Sequence, residues 1–303
     1  LVEEKKMKHI RLPLIFCLLV VLWSCASVQG PPIAGAQRPK IALVLGGGAA
    51  RGFAHIGVIR ELEQEKIPID MIVGTSVGSL IGAIYAYDTN SFDLEWTAFT
   101  LQKDDLFDYG LLTAITGMGA AKGDKLEAFV KDKVPVQNIE NLKIPFAAVA
   151  TDLNRGTRVV LDRGSVAKAV RASSAIPGVF NPVDYQGKIL VDGGVIDNIP
   201  VSVARERGAD IVIAVDISEN VTNFNITNLV DVMLQAVNIM AAENAKHQRK
   251  EADVLISPAV GSVGMLDFSQ KKYCMQAGIE AAQKAIPVLK EKIEEWEKRK
   301  AGK

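Results

Sequence analysis

Strand-sized apolar runs recur along the chain, and most are followed by a stretch whose apolar positions have helical spacing. Ile41–Leu45 contains no polar residue, as expected of a parallel strand buried on both faces. Gly46-Gly47-Gly48 ends it, and residues 53–65 follow with Ile56, Ile59 and Leu62 at helical spacing. Residues 71–73 form a second buried strand, and the small and apolar residues of 77–87 predict a helix buried on most sides. Residues 91–135 read as helices with apolar loops. Further strands are expected at 146–150, 158–161, 189–191, 211–216 and 254–256, and helices at 165–172, 200–206, 229–250 and 272–298. Ser165 is placed to cap the first of those helices. This alternation predicts an α/β fold with a mostly parallel sheet covered on both faces.

The N-terminus has a different pattern. Lys5, Lys6, Lys8 and Arg11 precede an apolar run over residues 12–23, which is too short to span a bilayer and suits a secretory signal. Leu22-Trp23-Ser24-Cys25 then resembles a bacterial lipoprotein signal, with Cys25 as the acylated residue. Cleavage near Ala26-Ser27 without acylation, and retention as an anchor, are the alternatives. Residues 26–39 are rich in Pro, Gly and Ala and read as a flexible tether. The expected organisation is a signal over 1–25, a tether over 26–39 and a single folded domain over 40–303. Acylation would hold that domain to a membrane of the cell envelope, on the side away from the cytoplasm.

Composition narrows the chemistry. Hydrophobic residues make up 49% and charged residues 23%, enough for a sizeable core. A formal net charge of zero gives no electrostatic case for nucleic acid as a partner. Cys17, Cys25 and Cys274 are odd in number and far apart, so neither a disulfide framework nor zinc spacing follows. No acidic cluster has calcium-loop spacing, and neither a metal nor another cofactor is expected.

Two glycine-bearing junctions carry candidate chemistry. Gly74-Thr75-Ser76-Val77-Gly78 has an apolar strand before it and a helix after it, the setting in which a sharp turn lifts a serine oxygen clear of the backbone. Ser76 is the candidate nucleophile, and Gly74 and Gly78 leave room for the elbow. Gly46, Gly47 and Gly48, with Arg51 nearby, form a second strand-to-helix junction. It fits neither a dinucleotide fingerprint, since Arg51 stands where the third glycine belongs, nor a Walker loop, since Phe53 follows Gly52. Exposed backbone amides beside a nucleophilic serine are what an oxyanion hole requires.

A serine nucleophile needs a base. His55 lies one helical turn beyond Arg51 and reads as structural. Ser76, Asp192 and His247 reproduce the chain order of an α/β-hydrolase triad, but His247 falls at the polar end of a long helix. Asp192 ends an apolar strand and precedes Gly193-Gly194, and a carboxylate there can take the proton directly if burial raises its pKa. The stretch from Leu106 to Met118 is unusually apolar for one containing Gly110 and Gly117. It is read either as core packing or as a mobile wall over an acyl chain.

The glycine loop with Arg51, the Gly74–Gly78 elbow and Asp192-Gly193-Gly194, in this order, resemble a bacterial patatin-like phospholipase. Ser173-Ser174-Ala175-Ile176-Pro177-Gly178-Val179-Phe180 strengthens the resemblance, which covers about residues 40–258. It implies a three-layer α/β/α fold and a Ser76–Asp192 dyad without a catalytic histidine. Gly46, Gly47, Gly48 and Arg51 would form the oxyanion region, and fatty acid would be released from lipid esters. A non-hydrolytic lipid-binding lipoprotein and an acyltransferase on the same fold are the alternatives.

Overall fold

A computed structural model describes residues 38–109, 119–218, 221–222, 226–227 and 229–302. The expected signal, Cys25 and the tether up to residue 37 lie outside the described residues, as does 110–118 of the glycine-flanked apolar stretch. Arg38 already belongs to the fold, because its guanidinium holds Asp70 through bonds of 2.7 and 2.6 Å.

The elements, in order, are β1 (Ile41–Leu45), α1 (Phe53–Gln64), β2 (Met71–Thr75), α2 (Val77–Asp88), α3 (Ser91–Thr100), α4 (Lys103–Leu106), β3 (Gly119–Ala121), α5 (Asp124–Lys133), β4 (Phe146–Asp152) and β5 (Thr157–Leu161). They continue with α6 (Val166–Ser173), β6 (Gly178–Phe180), β7 (Val183–Tyr185), β8 (Lys188–Asp192), α7 (Val201–Glu206), β9 (Ile211–Val215), α8 (Leu229–Glu251), β10 (Val254–Ile256) and α9 (Lys271–Ala301). Ser165 does cap α6, its Oγ accepting from the Lys168 amide at 3.3 Å.

The main sheet has the order β10-β9-β1-β2-β4-β8-β7, with β5 also on β4. The five strands from β10 to β4 are parallel, while β5, β8 and β7 join through antiparallel pairs. Side chains alternate across it. Ile41, Leu43, Leu45, Ile72, Phe146 and Ile213 face one core, with α1, α2 and α9. Ala42, Val44, Val73, Ala147, Val149 and Ala214 face a second core, closed by Val201, Val203 and Ala204 of α7 and Ala245 of α8. Two cores on one sheet make the expected three-layer α/β/α sandwich.

Helices α1 and α9 cross at a pair of glycines. A Cβ on Gly57 would lie 2.0 Å from the Met275 carbonyl, and one on Gly278 would lie 2.1 Å from that of Ala54. Only glycine allows this approach, and it anchors the C-terminal helix beneath the glycine loop.

Strands β2 and β8 share one edge of β4. Because β5 takes the other edge over Ala148–Asp152, both β2 (to Val149) and β8 (from Ala150) must lie on the remaining one. They run toward each other along it. Thr75 ends β2 opposite Val149, and Asp192 ends β8 opposite Ala150.

Candidate active site

The residue after Thr75 is Ser76, which leaves the strand with φ 56° and ψ −127°, a conformation L residues rarely adopt and one that concentrates at functional turns. The elbow closes only with glycine on both sides. A Cβ at Gly74 would lie 2.5 Å from the Gly78 carbonyl oxygen, and one at Gly78 would lie 2.1 Å from that of Leu45. This close seating of α2 on the end of β1 brings the glycine loop alongside, so that a Cβ on Gly47 would be 3.2 Å from the Ser76 Cβ.

Within the loop the amides divide into two groups. Gly46 donates to the Val215 carbonyl (3.1 Å) and Gly47 to that of Asn198 (3.2 Å). Among the described residues, no group accepts from the amides of Gly48 and Ala49. The imidazole of His55 is fully buried and lies 2.8 Å, through Nε2, from the Gly46 carbonyl. Burial drives its pKa down to about 4, so the ring is neutral and its Nε2–H donates to that carbonyl. His55 thus braces the loop. Arg51 is also buried, donates to the Val263 carbonyl at 3.4 Å and lines the cavity beside Ser76.

Asp192 is 3% exposed. Its Oδ1 accepts from the Gly194 amide at 2.7 Å, while Oδ2 is buried without a hydrogen bond of normal geometry. Burial raises its pKa to about 6, against the opposing pull of the nearby Ser76 hydroxyl and of the Gly194 amide. The pair is therefore close enough to interact, with one carboxylate oxygen left to accept a proton. His247 is exposed on α8 and lines neither cavity at Ser76.

Two cavities meet at Ser76. One, of about 420 Å³, is lined by Gly48, Arg51, Asp192, Asn198 and Asn238. The other, of about 590 Å³, is walled by Phe53, Leu80, Phe107, Phe180 and Phe268. Ser76 and Ile176 line both. Leu106 and Phe107 of the glycine-flanked apolar stretch lie in the apolar wall. Phe107 stacks on Phe180 at 5.0 Å and on Tyr109 at 5.2 Å.

Residues 43–205, more than half of the chain, match the patatin-like phospholipase family. The chain belongs to that family. The matched span takes in the loop, the elbow and Asp192, and ends before α8. An uncharacterised NTE family protein of Mycobacterium tuberculosis is 38% identical over 186 residues, which is 61% of this chain and 51% of that protein. Human patatin-like phospholipase domain-containing protein 6 is 39% identical over 187 residues, covering 58% of this chain and 13% of the human one. The alignment therefore spans about half the length of the mycobacterial relatives, and far less of the human protein. Among solved structures, VipD from Legionella pneumophila superposes with a TM-score of 0.54 at 15% identity, over 82% of this chain and 66% of VipD. That likeness is one of fold.

The structure adds residues the sequence did not single out for a role. Ser173 Oγ accepts the Ser76 amide at 2.9 Å. The Thr75 hydroxyl donates to the Asp197 carbonyl at 2.9 Å, and Asn198 Nδ2 donates to that of Gly47 at 3.4 Å. Helix α8 contributes Val237, Asn238, Ala241 and Ala242 to the polar cavity. Most of these contacts run from a side chain to backbone far away in sequence, which leaves no periodic signal.

Proposed function

We propose that this patatin-like phospholipase hydrolyses fatty-acyl esters of lipids through Ser76 and Asp192. The observation that carries the reading is the buried carboxyl of Asp192, with a pKa of about 6, beside a serine held at a strained elbow between an apolar and a polar cavity. A carboxylate with that pKa is ionised at neutral pH and basic enough to act. Asp192 takes the Ser76 proton as Oγ bonds to the acyl carbon. The amides of Gly48 and Ala49 stabilise the oxyanion, while Gly46 and Gly47 shape the loop and Arg51 adds positive charge to the wall. Collapse breaks the ester bond, and the leaving alcohol takes the proton from Asp192. Water, deprotonated by Asp192, then attacks the acyl-enzyme; the bond to Ser76 Oγ breaks, Oγ takes the proton back from Asp192, and fatty acid leaves. The acyl chain occupies the apolar cavity and the alcohol part the polar one. The fungal relative named lysophospholipase NTE1, 29% identical over 82% of this chain, supports a lipid ester as substrate.

The site is further proposed to work at a bacterial membrane, held by acylated Cys25. A diacylated cysteine carrying an amide-linked chain supplies enough apolar surface for stable anchoring. A fluorophosphonate probe should label Ser76, and a lipid panel read by mass spectrometry should show fatty acid released by the wild type only. Fractionation with intact-mass analysis tests the anchor separately. A soluble protein whose mature mass lacks acyl chains overturns the anchor and leaves the hydrolase reading standing.

A further inference from the structure

Ser76 and Asp192 are 116 positions apart in sequence, and their strands do not pair with each other. Something must set the spacing between them. At the end of β2 the regular ladder to β4 stops, because Ser76 turns away with positive φ. A hydroxyl fills the break. Ser173 Oγ accepts the Ser76 amide at 2.9 Å and donates its single proton to the Val149 carbonyl at 2.6 Å. Ser173 ends α6 and is fully buried.

Two residues later the same segment holds the other partner. The Asp192 amide donates to the Ala175 carbonyl at 2.9 Å. One residue further, Ile176 lines both cavities. The Val149 carbonyl is packed from the remaining side as well, since a Cβ on Gly193 would come within 2.3 Å of it.

We infer that Ser173–Ile176 is a spacer that sets the separation of nucleophile and base, with Ser173 as a positioning residue for Ser76. The inference rests on the proposed Ser76–Asp192 chemistry. The Ser173 hydroxyl bonds two backbone groups, the Ser76 amide and the Val149 carbonyl, and takes no proton from substrate. Its loss strands a buried amide and a buried carbonyl, and the strained elbow relaxes away from Asp192. Misplacement of a nucleophile by a fraction of an ångström to an ångström lowers turnover by about 10- to 100-fold.

The test compares Ser173→Ala with Ser173→Thr, which keeps a hydroxyl, and with Ser165→Ala, which weakens the same helix at its far end. Activity on a soluble short-chain ester is normalised to sites titrated with a fluorophosphonate, so that unfolded protein does not count. Ser173→Ala should lower kcat about 10- to 100-fold with KM near the wild-type value. Ser173→Thr should recover much of kcat, and Ser165→Ala should leave kcat per titrated site unchanged. Amide exchange over residues 75–79 should quicken in Ser173→Ala and stay slow in Ser165→Ala. Wild-type kcat per site in Ser173→Ala, or a rise in KM with kcat held, overturns the spacer. Exchange is read without substrate, so an inactive wild type would sink the hydrolase reading while the exchange result still decided whether Ser173 holds the elbow.

Discussion

Among the described residues, Ser76 supplies the side-chain interaction that holds the Asp192 carboxyl down against its own burial. The balance leaves the carboxyl at about 6, above the ordinary 3.8. With Asp192 as base, kcat/KM should rise with pH through a single ionisation near 6 and then level off. A profile flat from pH 4.5 to 7.5 would remove Asp192 from that role.

The same shift has a stability consequence. A carboxyl whose pKa is higher in the folded state favours folding while it is protonated. That contribution is complete below the unfolded value of 3.8 and is lost as pH rises to about 6. Ionised Asp192 therefore costs the fold roughly 3 kcal/mol at neutral pH, at about 1.4 kcal/mol per pKa unit. Asp192→Asn should be inactive yet more stable than wild type at pH 7.5, by up to that amount. The gap should close near pH 4. Urea titrations at the two pH values measure it, and equal gaps would contradict the assigned shift.

Replacing Ser76 with Ala should cut ester turnover by about a thousandfold or more. His247→Ala should stay within about twofold of wild type, as expected of an exposed side chain far from the chemistry. If His247→Ala were as inactive as Ser76→Ala while folded, a triad would replace the dyad.

The framework of this fold was open to reading from sequence because its central strands are apolar runs. Ile41–Leu45 and Val254–Ile256 occur where expected, and the elbow was visible because a strand, two glycines and a helix surround Ser76. Strands β3, β6 and β7 were not foreseen. Each has three residues, and β7 carries Asp184 at its centre, so none shows a usable period. The glycine loop was recognisable, but which amides it leaves unbonded depends on the carbonyls of Val215 and Asn198, far along the chain. Ser173 appeared as part of a resemblance only, because a hydroxyl bridging two backbone groups follows no pattern in sequence.

Phe107 should control acyl-chain preference. It stacks between Phe180 and Tyr109, and it lines the apolar cavity. Phe107→Ala lengthens or widens that cavity and should shift the optimum of kcat/KM toward longer or bulkier chains. The void should also cost stability, about 3–5 kcal/mol for a buried phenylalanine. Competition between C8 and C18 esters of the same alcohol reads the preference. Equal losses on both would mean that Phe107 packs the core without touching substrate.

Gly278→Ala should destabilise the fold by about 1–3 kcal/mol or more, since overpacking forces backbone shifts. Its Cβ would fall 2.1 Å from a backbone oxygen of α1, where no flexible side chain can give way. Chemical denaturation checks this. Unchanged stability would mean that α9 can slide along α1 at little cost.

The shared edge of β4 also governs when the site comes into being. A chain that has emerged only through residue 187 can carry Ser76 on its elbow, but β8 has not yet arrived to bring Asp192 up to Ala150. Strand β9, which fills the far side of β1, comes later still. Until residue 192 has been made and β8 has docked on β4, Ser76 lacks the carboxyl that faces it. Under the proposed Ser76–Asp192 chemistry, turnover would switch on only when β8 docks, as a late event of folding.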